Sequence, residues 1–149
     1  MNKSRVEQGL ADYIQAKVTA SALADSVQVL PGKTDQGVDP DKTNVFCIAD
    51  RIATVHGPIK EGFFRFQVQK SGKANAIEDY RQVLDLIDAA FPNQEAATYP
   101  AAVAAVDATI QAATSGSNCN GFVQTEAQDQ EDESRWVDDT NVKAGLIEN

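Results

Sequence analysis

His56 is the only histidine in the chain, and Asp50 and Arg51 precede it closely. An Asp–His pair can activate a serine or cysteine by taking its proton while the carboxylate fixes the imidazole tautomer. That chemistry needs a nucleophile placed in a cleft, and the sequence has no G-x-S-x-G elbow. His56 runs straight into Gly57-Pro58, so a turn accounts for it more simply. Asp39, Asp41 and Asn44 offer oxygen ligands for calcium, but their spacing departs from the EF-hand loop and no glutamate closes it. Asp129, Glu131, Asp132 and Glu133 can attract divalent ions loosely. Cys47 and Cys119 are the only cysteines, and neither has a thiol or histidine beside it at metal-ligand spacing. Phe63, Phe64 and Phe66 around Arg65 look superficially like an aromatic RNA-binding strand but lack basic surroundings. There is no P-loop and no dinucleotide fingerprint. The residues therefore predict no catalytic, cofactor-binding or metal site, and no enzyme.

Charge narrows the partners. The chain has 22 acids against 13 Lys and Arg, a formal charge of −9. A protein held on nucleic acid by phosphate contacts needs a basic surface. A charge of this sign suits a self-repelling soluble surface, or a wall past which DNA slides without sticking. Between positions 126 and 139 lie Glu126, Asp129, Glu131, Asp132, Glu133, Asp138 and Asp139 with Arg135 as the one base, so this segment carries −6 and the rest of the chain −3. Such a run is ordinarily a solvated loop.

Cys47, inside an apolar run, reads as a small core residue. Two distant cysteines without a secretion signal point to a reducing compartment. Ala22-Leu23-Ala24 behind the basic start resembles a cleavage site, but Glu7, Gln8, Asp12, Gln15 and Lys17 leave no apolar stretch between them. The alanine-rich segment near position 100 is broken by Pro100, Asp107 and Gln111, so no membrane span is expected.

At 149 residues the chain fits one domain, residues 1–149, with enough length to bury a core without metals or disulfides. Val6, Leu10, Tyr13, Ile14 and Val18 recur at helical spacing behind Ser4, a candidate N-cap with Glu7 three residues on; they predict a helix over Ser4–Ala20, with Glu7, Asp12, Gln15 and Lys17 off its apolar face. Val27 and Val29 alternate in a short strand stopped by Pro31-Gly32. Pro31–Asn44 is a long polar loop. Val45–Ile48 and Ile52–Val55 form one strand with an irregular middle at Ala49-Asp50-Arg51. His56-Gly57-Pro58 and Glu61-Gly62 frame a turn into an antiparallel strand in which Phe64, Phe66 and Val68 alternate with Arg65, Gln67 and Gln69. Asn75, three residues before Glu78, caps a helix in which Ile77, Tyr80, Val83, Leu84, Ile87 and Phe91 share a face, and Pro92 ends it.

Pro100 opens a further helix with a narrow stripe of Val103, Val106 and Ile110. Phe122–Thr125 and Thr140–Ile147 read as strands on either side of the acidic segment. The order helix, three strands, two helices, two strands is α+β: a small, mostly antiparallel sheet with helices packed on one face. Phe64, Phe66, Val68, Ile77, Leu84 and Ile87 are the expected core between sheet and central helix.

This arrangement resembles the tail terminator (tail completion) proteins of long-tailed bacteriophages. An N-terminal helix over Arg5–Val18 precedes a short strand and a loop. A strand pair follows, its second member Phe63-Phe64-Arg65-Phe66-Gln67-Val68-Gln69 leading into Asn75-Ala76-Ile77-Glu78-Asp79-Tyr80. An acidic stretch and Trp136 then precede a last strand, Asp139-Thr140-Asn141-Val142-Lys143-Ala144-Gly145-Leu146-Ile147. The resemblance implies a structural virion subunit with no catalytic residues. It would form a six-membered homo-oligomeric ring at the head-proximal end of the tail tube, ending tube growth and docking the head–tail connector. Its partners would be its own copies, the tube protein and the connector or neck protein, with genomic DNA passing through without specific binding and no membrane contact. It would assemble in the host cytoplasm and reside in the tail neck of the virion.

The alternatives are another neck or head-closure protein, or a small acidic binding or inhibitor module whose carboxylates copy phosphates. Ring assembly would draw on sheet edges and the Pro31–Asn44 arm. The acidic segment would line the DNA opening or lie as a solvated loop on the outer rim.

Overall fold

The first helix, α1, spans Lys3–Thr19 and buries Val6, Leu10, Tyr13, Ile14 and Val18 along one side, as the spacing predicts. It starts one residue before Ser4, within the usual play of a helix end. Glu7 departs from the expected pattern. It is 2% exposed, because α1 is covered on two sides, by helices α2 (Ala76–Ala90) and α3 (Tyr99–Ala113), and contacts both. A Cβ on Gly9 would lie 2.7 Å from the Ile110 Cα. Glycine at this position therefore lets the backbones of α1 and α3 approach.

The computed structural model describes residues 3–31, 44–56, 59–69, 76–114, 117–125 and 140–148, and side chains at 6–31, 78, 79, 81–114 and 118–124. Among these residues the strands are β1 (Val27–Leu30), β2 (Asn44–His56), β3 (Ile59–Gln69), β4 (Ser117–Thr125) and β5 (Thr140–Glu148). They form one sheet in the order β1-β2-β3-β5-β4. Only the β1–β2 pairing is parallel; β2–β3, β3–β5 and β5–β4 are antiparallel. The fold is α+β. Strands β3 and β4 run in the same direction with β5 between them, and α2 and α3 make the crossover.

The β2–β3 hairpin closes at His56↔Ile59. Glu61 and Gly62 belong to β3, opposite Thr54 and Ala53, rather than to the turn. The two-residue connection at 57–58 is short enough to let pairing begin at once. The irregularity expected in β2 is present: the register shifts between Ile48 and Asp50, so Ala49 is an extra residue that bends the strand. A second shift falls between Cys119 and Gly121 in β4.

Val27, Val29, Val83, Ile87, Ala90, Phe91, Val106, Ile110, Cys119 and Phe122 join the α1 stripe in one buried cluster. Ile87 is fully buried, as expected, whereas Leu84 is only partly buried and Val83 takes the inner position. Phe64, Phe66 and Val68 occupy register positions in line with Val142, Thr140 and Phe46, and Ala144 in the same row pairs with buried Phe122. Their side chains, and that of Ile77, lie outside the described residues, as do the cap at Asn75, residues 32–43 of the long loop, and the acidic segment 126–139.

Candidate functional site: the covered edge of β4

The sequence-selected polar residues do not gather into a described site. His56 ends β2 opposite Ile59, and Asp50 and Arg51 follow the bulge opposite Arg65 and Phe64. Cys47 pairs with Gln67 on one side and Leu30 on the other. Asn44 opens β2; Asp39, Asp41 and Asp129–Glu133 lie outside the described residues. Among the described residues, no three His, Cys, Asp or Glu side chains come together to hold a metal. No helix among them is long and apolar enough to cross a membrane.

The organised polar geometry lies elsewhere, where α3 runs along β4. Beyond Phe91 and Pro92, the chain turns through Asn93, whose Oδ1 accepts from the Glu95 N–H. Tyr99 then opens α3 with Pro100 in its first turn, where a missing N–H costs nothing. The Tyr99 hydroxyl donates to the Phe122 carbonyl at 3.0 Å and accepts from the Phe122 N–H at 3.1 Å. One side chain thus engages both outward backbone groups of an edge-strand residue. Two turns along the same helix, Asp107 Oδ1 accepts from the Cys119 N–H at 2.7 Å while Oδ2 accepts from Gln111 Nε2, also at 2.7 Å.

The bulge between these two anchors makes room for them. A Cβ on Gly121 would stand 3.1 Å from the Tyr99 hydroxyl, so a larger residue would crowd the bond. Cys119 is buried, and its Sγ–H reaches back to the Gly121 carbonyl. Burial pushes the Cys119 thiol up to about 11; the Gly121 bond lowers it slightly, and the Asp107 charge raises it further. The thiol is therefore a packed, protonated group rather than a nucleophile.

Aromatic rings fix this edge to the core. Phe122 meets Phe91 edge-on at 5.1 Å and Tyr99 at 5.1 Å, and Phe91 meets Tyr13 of α1 at 5.5 Å. Tyr13 donates its hydroxyl to the last carbonyl of α2, at Ala90, and burial raises its pKa. Next to the edge lies a partly open cavity of about 270 Å³ lined by Phe91, Pro92, Asn93, Gln94, Val123 and Gln124. Gln124 Nε2 donates to Asp88 across 2.6 Å. The cavity lining contains amides and apolar groups but no acid or base to move a proton. Such geometry can bind or exclude a strand.

No protein-family model matches this chain, and no curated protein matches it in sequence. Tyr99, Asp107 and Gly121 were not singled out by sequence for this role. Two signals point to it in retrospect: Asp107 is the lone charge in α3, and a glycine inside a strand marks a bulge or a close approach.

Proposed function

We infer that the chain is a tail terminator: a structural subunit of a ring on the head-proximal end of a phage tail tube. The observation that supports this is the order of the elements behind the resemblance. An N-terminal helix and short strand precede the β2–β3 pair; β3 runs through Phe63–Gln69 toward α2; and the last strand holds Thr140–Ile147. The ring ends tube growth and offers a docking surface to the connector, and the subunits act through shape and charge alone. Six copies at −9 carry −54 together, so added salt favours assembly by screening.

The test is capping. Tail-tube protein from the same genome is polymerised with and without this chain, and tube length and end views are recorded by electron microscopy. The expected result is tubes that stop growing and carry a six-membered ring at one end. Tubes that lengthen equally in its presence would contradict the assignment.

A further inference from the structure

Apart from its bulge between Cys119 and Gly121, strand β4 carries none of the residues that usually stop an edge strand from pairing with another chain. Ser117–Thr125 contains no charge and no proline, and it matches β5 in length. Such an edge pairs with a second strand unless its outward backbone groups are occupied. On a chain of −9, it is also a stretch where two copies meet without opposing like charges along the strand. Val123 adds the exposed large hydrophobic among the described residues, at 43%.

We propose that α3 is a latch on this edge. With Tyr99 and Asp107 engaged, β4 is closed; with them released, β4 pairs antiparallel with β4 of a second copy about a two-fold axis. The exchange conserves the strand's hydrogen bonds, because the incoming backbone offers N–H donors and C=O acceptors to Phe122 and Cys119 in place of the Tyr99 hydroxyl and the Asp107 carboxylate. What favours the closed form is that the latch is intramolecular and always at high effective concentration. The Gly121 contact sets how closely the hydroxyl approaches. This latch is independent of the terminator assignment, and its test runs without tail tube at physiological salt.

The experiment measures mass against concentration by light scattering on size-exclusion fractions. The wild type is expected at 16.0 kDa. The double variant Tyr99→Phe/Asp107→Ala is expected to reach twice that mass, with association at least about tenfold tighter than wild type. Adding Val123→Lys, a charge beside the exposed edge, should return it to monomer. A double variant with wild-type circular dichroism that stays monomeric over the same range overturns the latch, and so does association that Val123→Lys leaves unchanged. If the double variant does not fold, Tyr99→Phe alone decides it by the same readouts: it keeps the ring and removes the hydroxyl that holds Phe122, so tighter association supports the latch and unchanged mass refutes it.

Discussion

At the β1 rim of the sheet, a four-residue strand has two N–H groups taken by neighbours close in sequence; at the β4 rim, a nine-residue strand is held at two residues by a helix. The Val27 N–H donates to the Leu23 carbonyl and the Val29 N–H to Gln15 Oε1 of α1. The Cys119 and Phe122 N–H groups donate to Asp107 and Tyr99 of α3. A short edge strand is itself a defence, so β1 needs little beyond a turn carbonyl and one amide. A long uncharged strand needs anchors at two points, and α3 provides them eight residues apart. Helix α3, though alanine-rich and thinly apolar, thus serves the sheet edge as much as the core.

Substitutions that treat the rims differently sharpen this contrast. The largest effect is expected for Phe122→Ala, which removes the ring linking α3 and α2 to β4 and should cost about 3–5 kcal/mol. A denaturant melt would show it, and a shift as small as that of an exposed residue would mean that the aromatic chain carries no weight. Beneath both rims, Ile87→Ala should cost about 2–5 kcal/mol and Leu84→Ala visibly less, because only Ile87 is fully enclosed. Equal costs would put the inner face of α2 elsewhere. Tyr99→Phe keeps the ring and removes the hydroxyl, leaving two Phe122 backbone groups without their partner at about 1–3 kcal/mol. The matching change at the other rim, Gln15→Ala, removes one part-buried bond and should cost about 0.5–1.5 kcal/mol; a larger loss there than at Tyr99 would reverse the comparison.

The smallest effect is on pH. Cys119 belongs to the β4 rim alone, and its thiol rises from 9.0 to about 11 on folding. Below the unfolded value both states hold the proton and the stabilising contribution is complete. As pH climbs from about 9 to about 11 the unfolded chain ionises first, so stability is lost over that window. Burial of Tyr13 acts in the same direction above its ordinary value of 10.0. Cys119→Ser should flatten the lower part of the decline as followed by melts at stepped pH, and an unchanged profile would remove the thiol from the account.

Local periodicity made most of the fold legible. The α1 stripe, the α2 stripe ending at Pro92, the bulge near Ala49 and the Phe64 strand each follow from spacing within about fifteen residues. Glu7 and Gly9 were not legible, because their burial depends on where α3 crosses α1, over a hundred positions away in sequence. The latch was hidden for the same reason. Tyr99 and Phe122 stand 23 positions apart, and nothing in either residue type announces that a hydroxyl will meet a strand backbone. Assembly was expected to draw on sheet edges and the Pro31–Asn44 arm; at the described outward N–H groups above the edges are occupied, so the proposed ring would use the β4 edge only with the latch open.

Native-state amide hydrogen exchange, resolved by residue, tests the closed-edge account most directly. It predicts that the amides of Cys119 and Phe122 exchange slowly, like those paired within the sheet, and that Tyr99→Phe releases Phe122 while Val29 at the opposite rim keeps its protection. Fast exchange at Phe122 in the wild type, at the rate of an open edge, would contradict it.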